Sequence, residues 1–364
     1  MADEAIAWFG GRLATGLREI TSDLAAVDRG GWWAVALPFD GPAVCARFAQ
    51  VRTGAVPLAA PWAGPGREEW RSSMSAVAYQ ASVHATHAAI GRGEVYQANI
   101  CRILRAGMPP LLSGAADSPH PALTLLAEIL RHNPAPHAGL LHLPAHSVTG
   151  WRQSVTLVSA SPETFLHRQG DLVQSAPIKG TARPGDGQPF GEKDQAENVM
   201  IVDLVRNDLG RIARTGSVEV TELLAEVAHP GLRHLQSTVQ ARLRNGVGWP
   251  EIVAATFPPG SVTGAPKIAA LRLIRGLEPT PRGFYCGAVG WVDSDEGTAD
   301  LAVAIRTFAL DGSHIRFGTG AGITWSSDPL AEWEETELKS HRLIRLASDP
   351  GRTIGWTGPV AVAR

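Results

Sequence analysis

A mixed α+β fold with large antiparallel sheets is the class that this chain of 364 residues predicts. Three observations predict it. Strand-like runs crowd the chain, and helical stretches interrupt them irregularly rather than in a βαβα rhythm. The 39 glycines and 26 prolines supply the many turns such sheets need. No repeat, low-complexity tract or clean linker divides the sequence. The reading is therefore one domain over 1–364, with a short divergent part at about 1–70.

The elements follow in order. Residues 32–60 read as short strands, broken by Pro38 and Gly41-Pro42, and 61–66 as a loop. A helix fits about 68–91, ended by Gly91 and Gly93. Residues 93–104 alternate as a strand that puts Val95, Gln97, Asn99 and Cys101 on one face. A Gly/Pro/Ser-rich surface loop fits 106–121. Strands fit 138–143, 154–160, 171–176, 233–243, 283–293, 299–310 and 314–319; helices fit 194–213, 249–256, 265–276 and 329–347.

Composition removes several classes. Thirty-three basic and 35 acidic side chains leave a net charge of −2, without the basic excess of a nucleic-acid binder. No apolar run approaches the ~18 residues of a membrane span. Asp3 and Glu4 stand where a signal peptide carries positive charge, so a cytoplasmic protein is expected. Cys45, Cys101 and Cys286 lack C-x-x-C spacing and read as buried thiols.

Several residues could carry chemistry, and each allows a plainer reading. Asp194 and Glu197 share a helix face, as do Glu332, Glu335 and Lys339 on a second helix. Two such faces could hold Mg²⁺ through oxygen ligands, or be solvated surfaces with ordinary ion pairs. The glycine run 318–323 fits a tight turn or an anion cradle. Residues 258–267 read as a loop entering a helix, where Lys267 adds positive charge. Glu163 follows a strand, as a buried general acid or a surface turn. Lys179 at a strand end is a nucleophile or a solvated lysine, and His234 a core or a catalytic histidine. No G-x-S-x-G, H-E-x-x-H or P-loop is present.

Taken in order, the segments GEVYQANI, SPETF, PIKGT, ENVMIVDLVRNDLGR, HLQSTV, PPGSVTGAPK, RGFYCGAVGW, AVAIRTF, GTGAGI and DPLAEWEETELK resemble the chorismate-utilising enzyme family. The resemblance runs from about 72 to 347. It implies a sandwich of antiparallel sheets with helices outside, and Mg²⁺-dependent chemistry on chorismate. Glu197 and Glu335 match the metal-ligand glutamates, and Asp194 and Glu332 their acidic neighbours. Lys339 and the amides of Gly320, Ala321 and Gly322 match the groups around the ring carboxylate. Tyr285 and Arg306 match the pair for the enolpyruvyl carboxylate, and His234 the histidine beside that side chain.

Two positions separate the subfamilies. Gln97 stands where water-adding members hold a lysine that activates water, and an amide cannot be that base. Lys179 stands where anthranilate-forming members have alanine. The resemblance therefore implies the aminodeoxychorismate-forming branch, serving 4-aminobenzoate and folate synthesis. There the lysine, as a neutral amine, attacks ring carbon 2 and Glu163 protonates the departing hydroxyl. Anthranilate formation is the runner-up, and a chorismate-binding subunit without chemistry a third reading. The chain shows no glutamine-hydrolysing motif, so ammonia is expected from solution or from a separate glutamine amidotransferase subunit. The run Ala182-Arg183-Pro184-Gly185 departs from the family pattern, and Arg183 receives no role. The first 70 residues look shorter than in tryptophan-sensitive members, which implies no inhibition by tryptophan.

Overall fold

The computed structural model describes residues 5–57, 62–108, 120–145, 150–182, 190–229, 232–311, 313–348 and 361–362. Most of its strands pair into one antiparallel walk. The walk starts at Glu219–His229 and passes through Leu232–Arg242, Leu172–Ala176, Thr164–Gln169, Thr298–Val303, Ala288–Asp293, Trp32–Leu37 and Val44–Thr53. It continues through Arg12–Thr21, Ile6–Phe9, His137–Leu143, Val155–Ser161, Thr307–Leu310 and His314–Ile323 to Gln97–Gly107.

Side-chain alternation sorts this sheet into four cores, the smallest holding Ala98, Ile100, Ala321 and Ile323. Trp32, Ala34 and Ala36 pack with Leu141, Leu143, Val155 and Leu157, so two stretches of the sheet face each other. The alternate residues Trp33, Val35 and Leu37 point outward to a second core. Leu140, Val158, Phe308 and Phe317 belong to a third. Helices cover the outer faces. They are α1 (Ala76–Gly91), α2 (Ala122–His132), α3 (Glu192–Gly210), α4 (Trp249–Thr256), α5 (Lys267–Leu277) and α6 (Pro329–Ala347). The result is the helix-flanked α+β sandwich that the sequence predicts.

α3 and α6 hold the acidic faces. α3 buries Ile201, Val202, Val205 and Leu209, each worth ~1.5–3 kcal/mol of burial. α6 starts at Pro329, with Asp328 capping the amides of Leu330 and Ala331. The buried Arg102 clamps α6 to the sheet. It donates to Thr336 Oγ1 (3.0 Å) and to Glu337, and stacks 4.1 Å from the Trp333 ring.

Some elements differ from expectation. The helix expected at 68–91 begins at Ala76, where the Ser75 hydroxyl accepts from the Ala78 amide; a 3₁₀ turn and a two-residue strand precede it. The 299–310 run splits at 304–306, because Arg306 takes a left-handed φ of 51° and ends the pairing. The glycine run 318–323 is not a turn but the end of the strand His314–Ile323. The expected 106–121 loop falls largely outside the described residues, as does Arg183. Among the described residues, no helix is long and apolar enough to cross a membrane.

Candidate active site

Glu163 sits between the strands Val155–Ser161 and Thr164–Gln169 and is only 4% exposed. The surface-turn reading therefore falls. Burial raises its pKa, opposed by the nearby Ser261 side chain, the charge of Lys179 and the Ile178 amide. A cavity of about 20 Å³, room for about one water, adjoins it between Phe165, Val205, Asp208, Thr256 and Ser261.

Lys179 lies on the strand Ile178–Ala182, beside a bulge that Gly180 makes possible with φ +64°. Its Nζ donates to the Ser261 carbonyl at 3.0 Å. Glycine at 322 lets two side chains meet there. A Cβ on Gly322 would stand 2.1 Å from Gln97 Nε2 and 3.7 Å from Lys179 Nζ. Gln97 is 1% exposed, and its Oε1 has no hydrogen-bond partner. His234 is buried on the strand Leu232–Arg242, and its Nδ1 donates to Gly180 O at 3.2 Å.

The acidic faces of α3 and α6 approach each other through a lysine that the sequence reading passed over. Lys193 Nζ lies 3.1 Å from Glu332 and 3.9 Å from Glu197. Glu332 is 4% exposed. Burial raises the Glu197 pKa, the lysines 179 and 193 oppose it, and Glu332 and Asp194 push it further up. Such crowding of carboxylates calls for a compensating cation. Among the described residues, no three such side chains form a closed metal cage. The oxygen donors nevertheless suit a hard cation. Glu335 differs: burial pushes its pKa up, but Lys339 at 2.6 Å prevails and holds it below the usual carboxylate range.

The implied carboxylate cradle is partly corrected. Asn99 and Cys101 send their amides away from the glycine strand, to Thr263 O (2.8 Å) and Glu278 Oε1 (2.9 Å). Their partners Gly322 and Gly320 thus form non-hydrogen-bonded pairs and turn their own amides to the opposite edge. Ala321, opposite Ile100, keeps its amide in the ladder, so only two of the three amides can face a ligand. Lys339 Nζ donates to Gly320 O at 3.1 Å on that edge. Tyr285 packs its ring on Gly318, where a Cβ would lie 2.0 Å away, and Arg306 is half-buried with Glu163 as countercharge. Lys267 is no open positive helix end: it pairs with Asp208 at 2.6 Å.

Sequence reasoning missed three further residues. Lys193 had a signal, its i, i+4 spacing to Glu197. Asn198 is fully buried and clamps α3 to the sheet, donating to Leu235 O (3.2 Å) and accepting from Ser237. Ser261 gave no pattern at all, because its partners are distant in sequence.

A helix-flanked sandwich that brings a lysine and a buried carboxyl group near two acidic helix faces matches a known class. The family model of chorismate binding enzymes covers residues 43–345, and the chain belongs to that family. Among its relatives, anthranilate synthase component 1 1 of Haloarcula marismortui is 38% identical over 268 residues, 71% of this chain and 50% of that protein. Aminodeoxychorismate synthase component 1 of Klebsiella aerogenes is 35% identical over 311 residues, 82% of this chain and 64% of that protein. This chain thus spans roughly half to two-thirds of their lengths. The menaquinone-specific isochorismate synthase of Escherichia coli shares the fold, with TM-score 0.78, 16% identity, and 96% and 90% of the two chains covered. So does anthranilate synthase component I of Streptococcus pneumoniae, with TM-score 0.72, 22% identity, and 95% and 91% covered.

Proposed function

We propose that this chain converts chorismate and ammonia to 4-amino-4-deoxychorismate, the reaction of an aminodeoxychorismate synthase component I. The observation that carries the reading is a buried acid, Glu163, within the electrostatic reach of the Lys179 amine, which the Ser261 carbonyl holds. Lys179 Nζ attacks ring carbon 2. Both ring double bonds shift, the carbon 4–oxygen bond breaks, and Glu163 gives its proton to the hydroxyl, which leaves as water. Ammonia then bonds to carbon 4, the double bonds shift back, and Lys179 departs. The new amine returns a proton to the Glu163 carboxylate. Covalent occupation of carbon 2 directs nitrogen to the para position.

Arg306 and Tyr285 bind the enolpyruvyl carboxylate, and an arginine fork suits it. His234 lies beside that side chain. Lys339 with the Gly320 and Gly322 amides holds the ring carboxylate. Gln97 lines the site without acting as a base. Glu197 and Glu335 would hold Mg²⁺, with Asp194 and Glu332 around it and Lys193 bridging the carboxylates without it. When bound, that ion neutralises the ring carboxylate. A separate glutamine amidotransferase subunit supplies the ammonia, in the cytoplasm, for 4-aminobenzoate and folate synthesis. The similarity to anthranilate synthases favours one second reading, ortho-amination by the same cleft.

Product analysis separates the two. The protein is incubated with chorismate, Mg²⁺ and ammonium, and the products are separated with mass detection. A product that an added aminodeoxychorismate lyase turns into 4-aminobenzoate is expected. Anthranilate would overturn the reading.

A further inference from the structure

The face of the sheet turned away from α3 carries a second cavity, of about 500 Å³. Strand alternation separates the two faces. Leu166, Val173 and Val239 pack with Val205 of α3, while His167, Gln174 and Thr238 line the cavity. Two carboxylates, Asp300 and Glu222, line it too, and among the described residues no lysine or arginine does. Asp300 is the cross-strand partner of His167. One of its carboxylate oxygens, Oδ1, is buried without a hydrogen-bond partner among the described residues. The other accepts from His137 Nδ1 at 3.2 Å, since a carboxylate has no proton to give. In the neutral ring, His137 Nε2 then accepts from Thr164 Oγ1 at 2.8 Å.

Thr164 also lines the small cavity beside Glu163, so it is the wall between the two. The sheet is irregular at that wall. Thr164 pairs with Ala176 on one edge and with Ala302 on the other, and the next pairs are Gln174–His167 and Leu301–Leu166. Both registers skip Phe165, so an extra residue loosens the ladder on each side. A wide chamber suited to cations thus narrows at Thr164 to about 20 Å³, room for about one water. Ammonia is as small as water and chorismate is far larger, so only the second substrate of the proposed reaction fits that passage.

We propose that the outer cavity is the ammonium-binding site of this chain, and that ammonia passes from it by Thr164 to the Glu163 side of the sheet. This rests on the amination proposed above and places the second substrate on the face opposite α3. Ammonium donates to Asp300 Oδ1, the acceptor left open, in a charge-assisted bond. One N–H bond then breaks, its proton passes to water in the cavity, and neutral ammonia moves on with its lone pair free for carbon 4.

The test is Asp300→Asn, which keeps the shape and an acceptor for His137 but removes the charge. With free ammonium chloride as the nitrogen source, we expect KM for ammonium to rise by roughly 10- to 100-fold. KM for chorismate, and kcat at saturating ammonium, should change little. A purely structural role would not produce that split, and an unchanged ammonium KM overturns the proposal. Should the variant fail to fold, Glu222→Gln on the exposed wall should raise the ammonium KM by roughly 2- to 5-fold, and no rise again overturns it. Methylammonium fits the outer cavity but not the inner one. It should inhibit competitively against ammonium and yield no methylamino product; such a product formed as fast as the amino product overturns the narrow passage. Nitrogen NMR of ammonium chloride reads binding without turnover. The wild-type protein should broaden the ammonium line more than Asp300→Asn does, and equal lines overturn the proposal. Anthranilate in the wild-type assay would refute the proposed function, yet the ammonium KM would still judge this site, because ortho-amination consumes ammonia as well.

Discussion

Two Glu–Lys pairs stand near each other in this fold, and their environments drive their acidities apart. Glu163, at 4% exposure, feels the charge of Lys179 without direct contact in an ion pair, and burial holds its pKa above the ordinary value. Glu335 meets Lys339 directly at 2.6 Å along one helix, with its side chain 46% exposed, and its pKa is held below the ordinary value. The same two residue types thus yield a carboxyl biased towards its protonated form in one place and one biased towards its charged form in the other. Burial decides the first, and direct contact with a cation the second. In the proposed reaction, acid chemistry falls to the first pair and binding of charge to the second.

The largest expected effect breaks the first pair. Lys179→Ala should lower para-amination by about 10³-fold, while chorismate binding by titration calorimetry stays near wild type. Glu163→Gln should lower kcat by roughly 10²–10⁴-fold, and steady-state kinetics against pH should show the alkaline limb gone. The second pair should respond differently. Glu335→Gln should raise the Mg²⁺ concentration for half-maximal rate by about 10- to 100-fold and leave the alkaline limb in place. A limb displaced by that variant would merge the two pairs and break the contrast.

Two smaller effects concern the scaffold. Asn198→Ala leaves Leu235 O and Ser237 without their partner and should cost about 1–3 kcal/mol in urea unfolding. The last concerns pH. With its pKa raised in the fold, Glu163 keeps a proton that the unfolded chain has lost. Stability from this group therefore falls as pH rises from the unfolded value towards the folded one. Glu163→Gln should flatten that part of the stability–pH curve.

Much of this was legible in the sequence, for physical reasons. Alternation and helical spacing gave the strands at 138–143, 154–160 and 171–176 and the helices at 194–213 and 329–347 within a few residues. α2 went unread because its short apolar stretch follows a Gly/Pro/Ser-rich run. The hairpin of Ile6–Phe9 and Arg12–Thr21 carried a readable signal in Gly10-Gly11, both with positive φ. The strands Thr164–Gln169 and Glu219–His229 are short or partly exposed, and their pairing is set by partners far along the chain. The glycine strand misled because close packing, not turning, requires its glycines: Gly318 admits Tyr285, and Gly322 admits Gln97. In the cleft, residue types marked Glu163, Lys179 and the acidic faces. Ser261 and the bridge by Lys193 depend on three-dimensional juxtaposition, which no spacing encodes.

The covalent role of Lys179 is the central claim, and one measurement meets it directly. The protein is incubated with chorismate and Mg²⁺ without ammonium, quenched with acid and its intact mass determined, with peptide mapping. The account predicts a mass gain of one chorismate less one water, located on Lys179 and absent from Lys179→Ala. A wild-type protein that turns over chorismate and ammonium yet never gains that mass would contradict it.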